Sequence, residues 1–178
     1  MTTIYLVRHA ETDLNGSGII QGTSNPHLSM KGVNKVKKLR QTIIDLGVDI
    51  CYTSPLFRTL ETAFGLVGDK ALIINDDRLI DRNMGNFEGK NKEEFNLEKY
   101  WNYSLNSTDD GVEGVKDIFK RSQNFLDEIL KKNKDKKILI VTHNANVKAI
   151  HHILRKTDLN SNLLFEVPNC YFEKIDLD

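Results

Sequence analysis

Four short stretches of the sequence concentrate groups able to handle an anion: Arg8-His9, Ser54-Pro55-Leu56-Phe57-Arg58, Asp81-Arg82 and His143. Arginine presents a planar fork of donors that matches phosphate oxygens. Imidazole is a competent nucleophile near neutral pH and can also donate a hydrogen bond. A carboxyl group beside them could protonate a leaving alkoxide. This set suits phosphoryl transfer through a phosphohistidine without a metal, provided the fold brings the four stretches to one place.

The elements between them suggest that it does. Thr3-Ile4-Tyr5-Leu6-Val7 reads as a short buried strand ending at Arg8-His9. Residues 10–28, with Gly16, Gly18, Gly22 and Pro26, read as loop. Ser29 is an N-cap for a helix carrying Val33, Val36, Leu39, Ile43 and Leu46 at helical spacing, stopped by Gly47. Asp49 to Thr53 is a second strand, after which Ser54-Pro55 caps and opens a helix, with proline at its first position. Ala71 to Ile74 is a third strand, followed by a loop over residues 75–90. Residues 91–110 are polar with interleaved Phe95, Tyr100, Trp101 and Tyr103, and read as a short helix plus loop. The stretch from Val112 to about Lys132 is an amphipathic helix with lysines at its end, as the helix dipole favours. Lys137 to Val141 is a fourth strand ending at Thr142-His143, followed by a helix from Asn144 to Leu154 and an edge strand near Tyr171 to Ile175. Such alternation predicts an α/β three-layer sandwich: a mostly parallel central sheet with helices on both faces. Ligands of such sheets bind beyond the carboxyl ends of the strands, where all four stretches fall.

Composition narrows the partners. The chain has 178 residues, 25 Lys+Arg against 25 Asp+Glu, and an isoelectric point near 7.0. The length suits a single domain over residues 1–178, with a small flap at about 86–112. The neutral balance argues against nucleic acid or an anionic membrane as a partner through bulk charge. No apolar run approaches the roughly 20 residues of a membrane helix, and no secretory signal stands at the start. Cys51 and Cys170 form neither a disulfide framework nor a zinc spacing, so a reducing cytoplasm is the expected location. The lysine-rich run 131–137 reads as a solvated helix end. His151-His152 does not read as a metal pair, because consecutive helical residues do not face the same way.

Several segments, in order, resemble the histidine phosphatase superfamily, the phosphoglycerate mutase-like proteins. Leu6-Val7-Arg8-His9-Ala10-Glu11-Thr12 is similar to its signature, and Asn15, Gln21-Gly22 and Leu28-Ser29 to its first loop. Thr53 to Ala63 resembles its Ser-Pro-Leu-x-Arg helix start, Leu79 to Gly89 its Gly-x-x-Glu-Gly loop, and Val141-Thr142-His143 its second histidine strand. The resemblance spans most of residues 3–155 and implies roles. His9 would attack phosphorus, and Arg8, Arg58 and His143 would grip the phosphoryl oxygens. Asn15, Gln21, Gly22 and Asn144 would line the phosphate or substrate. Asp81 would be the general acid and then the base that activates water, with Glu88 as the second choice. This chain departs from common family residues at Asp81 (often Glu), at Asn144 (often Gly) and at His27 (often Pro), and His27 is expected near the pocket mouth. No metal and no cofactor is implied.

Arg82 would contact an anionic substrate or form an ion pair within its loop. Glu113 and Arg121 are explained equally by helix capping and an internal ion pair. The aromatics at 95–103 would cover an apolar leaving group or simply pack the flap. The leading expectation is a phosphomonoesterase acting through phosphohistidine on a small phosphorylated metabolite, as a monomer or homodimer. Its alternatives are a cofactor-dependent phosphoglycerate mutase and a non-catalytic phospho-ligand binding domain. Length favours hydrolysis: only about 40 residues separate Asp81 from Arg121, and so small a lid should admit water.

Overall fold

The computed structural model describes residues 1–159 and 163–177. Strand β1 (Thr2–Arg8) is followed by the single turn α1 (Asp13–Gly16) and the long helix α2 (Met30–Asp45). Strand β2 (Ile50–Thr53), helix α3 (Phe57–Val67) and strand β3 (Leu72–Asn75) follow. The short helix α4 (Leu97–Tyr100) precedes α5 (Val115–Lys132), β4 (Lys137–Thr142), α6 (Asn144–Arg155) and β5 (Phe172–Leu177). Among the described residues the sheet runs β3-β2-β4-β1-β5, parallel except for β5, which is antiparallel to β1.

Why these strands sit centrally is visible in their side chains. In β1, Ile4 and Leu6 point to one face and Tyr5 and Val7 to the other, and all are buried. A strand apolar on both faces needs cover on both. Phe125, Leu126 and Ile129 of α5 and Val147 and Ile150 of α6 cover one side. Val36 and Ile43 of α2 and Ala63, Leu66 and Val67 of α3 cover the other. A third cluster joins Phe95, Tyr100 and Trp101 to Val115, Ile118 and Phe119 of α5 and to Ala145 and Ala149 of α6. It anchors the segment after residue 84 on the α5–α6 side of the molecule. No helix among the described residues is long and apolar enough to cross a membrane.

Three boundaries differ from the sequence reading. Helix α3 starts at Phe57, with Leu56 at its N-cap, so Pro55 stands ahead of the helix. The Ser54 hydroxyl accepts from the Leu56 N–H at 3.2 Å and reaches His143, so this serine serves the site as well as the turn. Helix α5 starts at Val115, because Asp109–Gly111 form a separate short turn and the Glu113 N–H bonds the Asn83 carbonyl. The loop 10–28 contains α1, whose Thr12 hydroxyl caps the Asn15 N–H at 3.2 Å. A single turn has no apolar periodicity to reveal it.

Candidate active site

Strand register brings the histidines together. In the parallel β1–β4 ladder Arg8 faces Thr142, so His9 and His143, one residue further, leave adjacent strands side by side. The His9 N–H donates to the Thr142 carbonyl at 2.9 Å, and the two imidazole centroids lie 5.2 Å apart, close to the spacing of neighbouring strands. His9 Nδ1 lies 2.7 Å from the Ala10 carbonyl. A carbonyl only accepts, so Nδ1 carries the proton and Nε2 keeps the lone pair a nucleophile needs. Burial, then the nearby Arg8 and Arg58 charges, push the His9 pKa well below the ordinary imidazole value. His143 is pushed the same way, by burial first and then by Arg58. Both rings are therefore neutral at pH 7.

The carboxylate and the second arginine come from the neighbouring strands. Strand β2 leads into α3, whose first turn carries Arg58, fully buried. Its Nη1 donates to the Ser24 carbonyl (2.7 Å) and its Nη2 to the Gly22 carbonyl (2.8 Å) and to Asp81 Oδ2 (3.1 Å). Asp81 Oδ2 also stands 3.6 Å from His143 Nδ1, and Oδ1 accepts from the Arg82 N–H at 2.9 Å. Burial pushes the Asp81 carboxyl above the ordinary carboxylate range, while the Arg58 charge pulls the other way. His143 Nε2 bonds the Ser54 hydroxyl at 2.9 Å, which fixes its ring. Arg8 donates through Nη1 to the Val167 carbonyl, and its buried Nε has no partner.

A cavity of about 750 Å³ opens in front of this group. Arg8, His9, Asn15, Gln21, Gly22, Asp81, Arg82 and Asn144 all line it. Arg58 and His143 are fully buried beside that wall, 3.1 and 3.6 Å from Asp81 Oδ2. The Gln21 amide oxygen accepts from the Thr12 hydroxyl at 2.9 Å. Asn144 opens α6, and its buried Oδ1 has no partner. Arg82 lines the cavity and, among the described residues, makes no ion pair within its loop. Its Nε and Nη2 donate to the Glu113 and Tyr100 carbonyls at 2.8 and 2.9 Å, its guanidinium lies 4.9 Å from the Trp101 ring centre, and its buried Nη1 is unpartnered. Burial lowers its pKa to about 10. Glu113 instead pairs with Arg121, at 2.8 Å.

One expectation needs correction. His27 does not line the cavity; it stacks on Phe57 of α3, with ring centres 4.6 Å apart, and pairs with Glu61 of the same helix. Glu88 is also absent from the cavity wall; its carboxylate is turned to Thr23 and Met84. Sequence reasoning missed Asn169, which lines the cavity and whose amide donates to the His9 carbonyl at 3.1 Å and to Asn15 Oδ1 at 3.2 Å. The signal was the edge strand itself. Val7 pairs with Phe172 in the antiparallel register, which delivers the residues just before β5 to the end of β1. It also left open the aromatic segment, of which Phe95 and Trp101 line the cavity while Tyr100 packs behind on Phe95, ring centres 4.7 Å apart. Among the described residues no cluster of three or more His, Cys, Asp or Glu is arranged to hold a metal ion.

A doubly covered, mostly parallel sheet with two histidines, two arginines and a carboxyl group at its carboxyl edge defines an α/β protein built to handle a phosphoryl group. The family model for the histidine phosphatase superfamily (branch 1) matches residues 4–178, and the chain belongs to that superfamily. Phosphoserine phosphatase 1 of Hydrogenobacter thermophilus is 31% identical, with all of this chain and 88% of that protein aligned. Among solved structures, YhfR of Bacillus stearothermophilus superposes with a TM-score of 0.90 at 26% identity, covering 100% of this chain and 92% of that one. A phosphoserine phosphatase variant of Entamoeba histolytica, in complex with phosphoserine, superposes with a TM-score of 0.85 at 28% identity, covering 98% of this chain and 90% of that one. The chain is a hydrolase of this superfamily, a phosphatase for a small phosphorylated metabolite.

Proposed function

We propose that His9 is the nucleophile of a two-step hydrolysis. Its Nε2 attacks phosphorus, Asp81 gives a proton to the departing alkoxide, and the resulting carboxylate then takes a proton from the water that cleaves the phosphohistidine. The observation that carries this reading is the Nδ1–carbonyl bond of His9, which directs the lone pair to Nε2 of a ring kept neutral by burial. Arg8, Arg58 and His143 hold the phosphoryl oxygens, where donors of this kind are each worth about 2.7–4 kcal/mol of barrier. His143 is neutral with Nε2 on Ser54, and its Nδ1 lies 3.6 Å from Asp81 Oδ2. Asn15, Gln21, the backbone at Gly22 and Asn144 complete the phosphate end. Asp81 supports the acid role because it lines the cavity and its pKa is raised by burial. A phosphate entering beside it adds negative charge, which raises the carboxyl further and keeps its proton in place for the leaving group.

The single domain carries its cap at residues 86–112, whose Phe95, Leu97 and Trp101 face the leaving-group side of the cavity. So small a cap leaves the phosphohistidine open to water, which supports hydrolysis over return of the phosphoryl group to a sugar acid. Phosphoserine is the substrate we propose first. Relatives bear that name, and the cavity wall carries both Lys92 and Glu93, a cation and an anion suited to a zwitterion. Arg82 belongs to the same wall, with one donor uncommitted. The test is steady-state hydrolysis of phosphoserine and 3-phosphoglycerate by the wild type and His9→Ala. The proposal expects phosphate release by the wild type alone, without mutase product. Wild-type-like turnover in His9→Ala would overturn it.

A further inference from the structure

The Glu88 carboxylate, the second choice for the general acid from sequence, sits between two loops. The loop 18–20 and the loop 89–92 are zipped by backbone bonds: Gly89 N–H to Ile20 O (2.9 Å), Ile20 N–H to Lys90 O (2.9 Å) and Lys92 N–H to Gly18 O (2.9 Å). Beyond that zipper, residues 22–24 are joined to the second loop through the Glu88 carboxylate. Glu88 Oε1 accepts from the Thr23 N–H at 2.9 Å, from the Thr23 hydroxyl at 3.1 Å and from the Met84 N–H at 3.2 Å, and Oε2 lies 3.2 Å from the same hydroxyl. Gly22 lies directly against it: a Cβ there would stand 2.1 Å from Oε1, and the backbone is at φ 52°. The two carbonyls that grip Arg58, those of Gly22 and Ser24, flank the residue Glu88 holds.

We propose that Glu88 is a positioning residue: a clasp between the Gly22–Ser24 turn, which aims Arg58, and Met84, three residues after Asp81 on the same loop. This rests on the reading that Arg58 binds the phosphoryl group. The Glu88 oxygens meet Thr23 and Met84, and the residue is not on the cavity wall, so the carboxylate is placed to hold the turn rather than to meet a leaving group. Its charge also favours the Arg58 guanidinium, which burial disfavours.

The experiment compares wild type, Glu88→Ala and Glu88→Gln. Three quantities are read: KM and kcat for phosphoserine, the same for 4-nitrophenyl phosphate, whose leaving group needs no proton, and inhibition by inorganic phosphate. A glutamine oxygen can still accept from Thr23 and Met84. The clasp predicts that Glu88→Ala weakens phosphate inhibition and raises KM for both substrates by about tenfold to a hundredfold, with the smaller change in kcat. It predicts that Glu88→Gln stays within about threefold of wild type on both substrates. Unchanged phosphate affinity in Glu88→Ala overturns the clasp. So does a kcat loss in Glu88→Gln confined to phosphoserine, the signature of a general acid. Should Glu88→Ala not fold, the glutamine variant alone still decides. A wild type that forms no phosphohistidine refutes the catalytic reading, independently of Glu88.

Discussion

Replacing His9 with asparagine should change how stability depends on pH, by an amount the burial of the ring sets. In the folded chain His9 titrates well below the ordinary imidazole value because burial and two arginines oppose its positive charge. In the unfolded chain it titrates near about 6.5. A depressed folded pKa gives stability that is present above the unfolded value and lost as pH falls below it. At pH 5.5 the unfolded chain gains RT ln(1 + 10), about 1.4 kcal/mol, from protonating one such histidine, against less than about 0.1 kcal/mol at pH 7.5. Asparagine keeps an N–H for the Ala10 carbonyl but removes the titration. The wild type should therefore lose about 1.4 kcal/mol more than His9→Asn between pH 7.5 and 5.5. His143 behaves like His9, and Asp81, whose raised folded pKa acts with the opposite sign, is present in both proteins, so both cancel from the difference. Urea unfolding of the two proteins at each pH measures it. A difference near zero would show that His9 takes up its proton in the folded site, and the neutral-nucleophile reasoning would fail.

Three further outcomes follow from the same geometry. Asp81→Asn should cost about 10²–10⁴-fold in turnover of an alkyl phosphate and far less with 4-nitrophenyl phosphate, and equal losses would reassign the acid. Arg58→Met should lower kcat by about 10²–10³-fold, since it removes a phosphoryl donor and strips the partner from the Gly22 and Ser24 carbonyls; single-turnover rates check it. Gly32→Ala places a Cβ 2.2 Å from the Glu11 carbonyl oxygen, a backbone atom that cannot rotate aside, and should destabilise the fold by about 1–3 kcal/mol in denaturant titrations.

The sequence carried the sheet well because both faces of β1 and β4 are covered, which leaves uninterrupted apolar runs such as Ile138 to Val141. It carried the candidate site because the four stretches follow four strands. What it hid depends on relations between distant loops. The clasp of Glu88 on Thr23 spans 65 residues of sequence, and the approach of Asn169 to His9 spans 160. Arg82 was ambiguous because its partners are backbone carbonyls, which no residue type announces. Lys148 shows the same limit. On α6 its ammonium bonds the Leu163 carbonyl beneath the Trp101 ring, 4.6 Å from its centre, and burial brings its pKa to about 8, whereas the pattern marks only another helical lysine.

The covalent intermediate tests the catalytic reading most directly. Enzyme mixed with ³²P-labelled substrate and quenched on the turnover timescale should carry label on the peptide containing His9, lost in acid and retained in alkali. Label on another residue, or none during an observed burst of alcohol release, would contradict it.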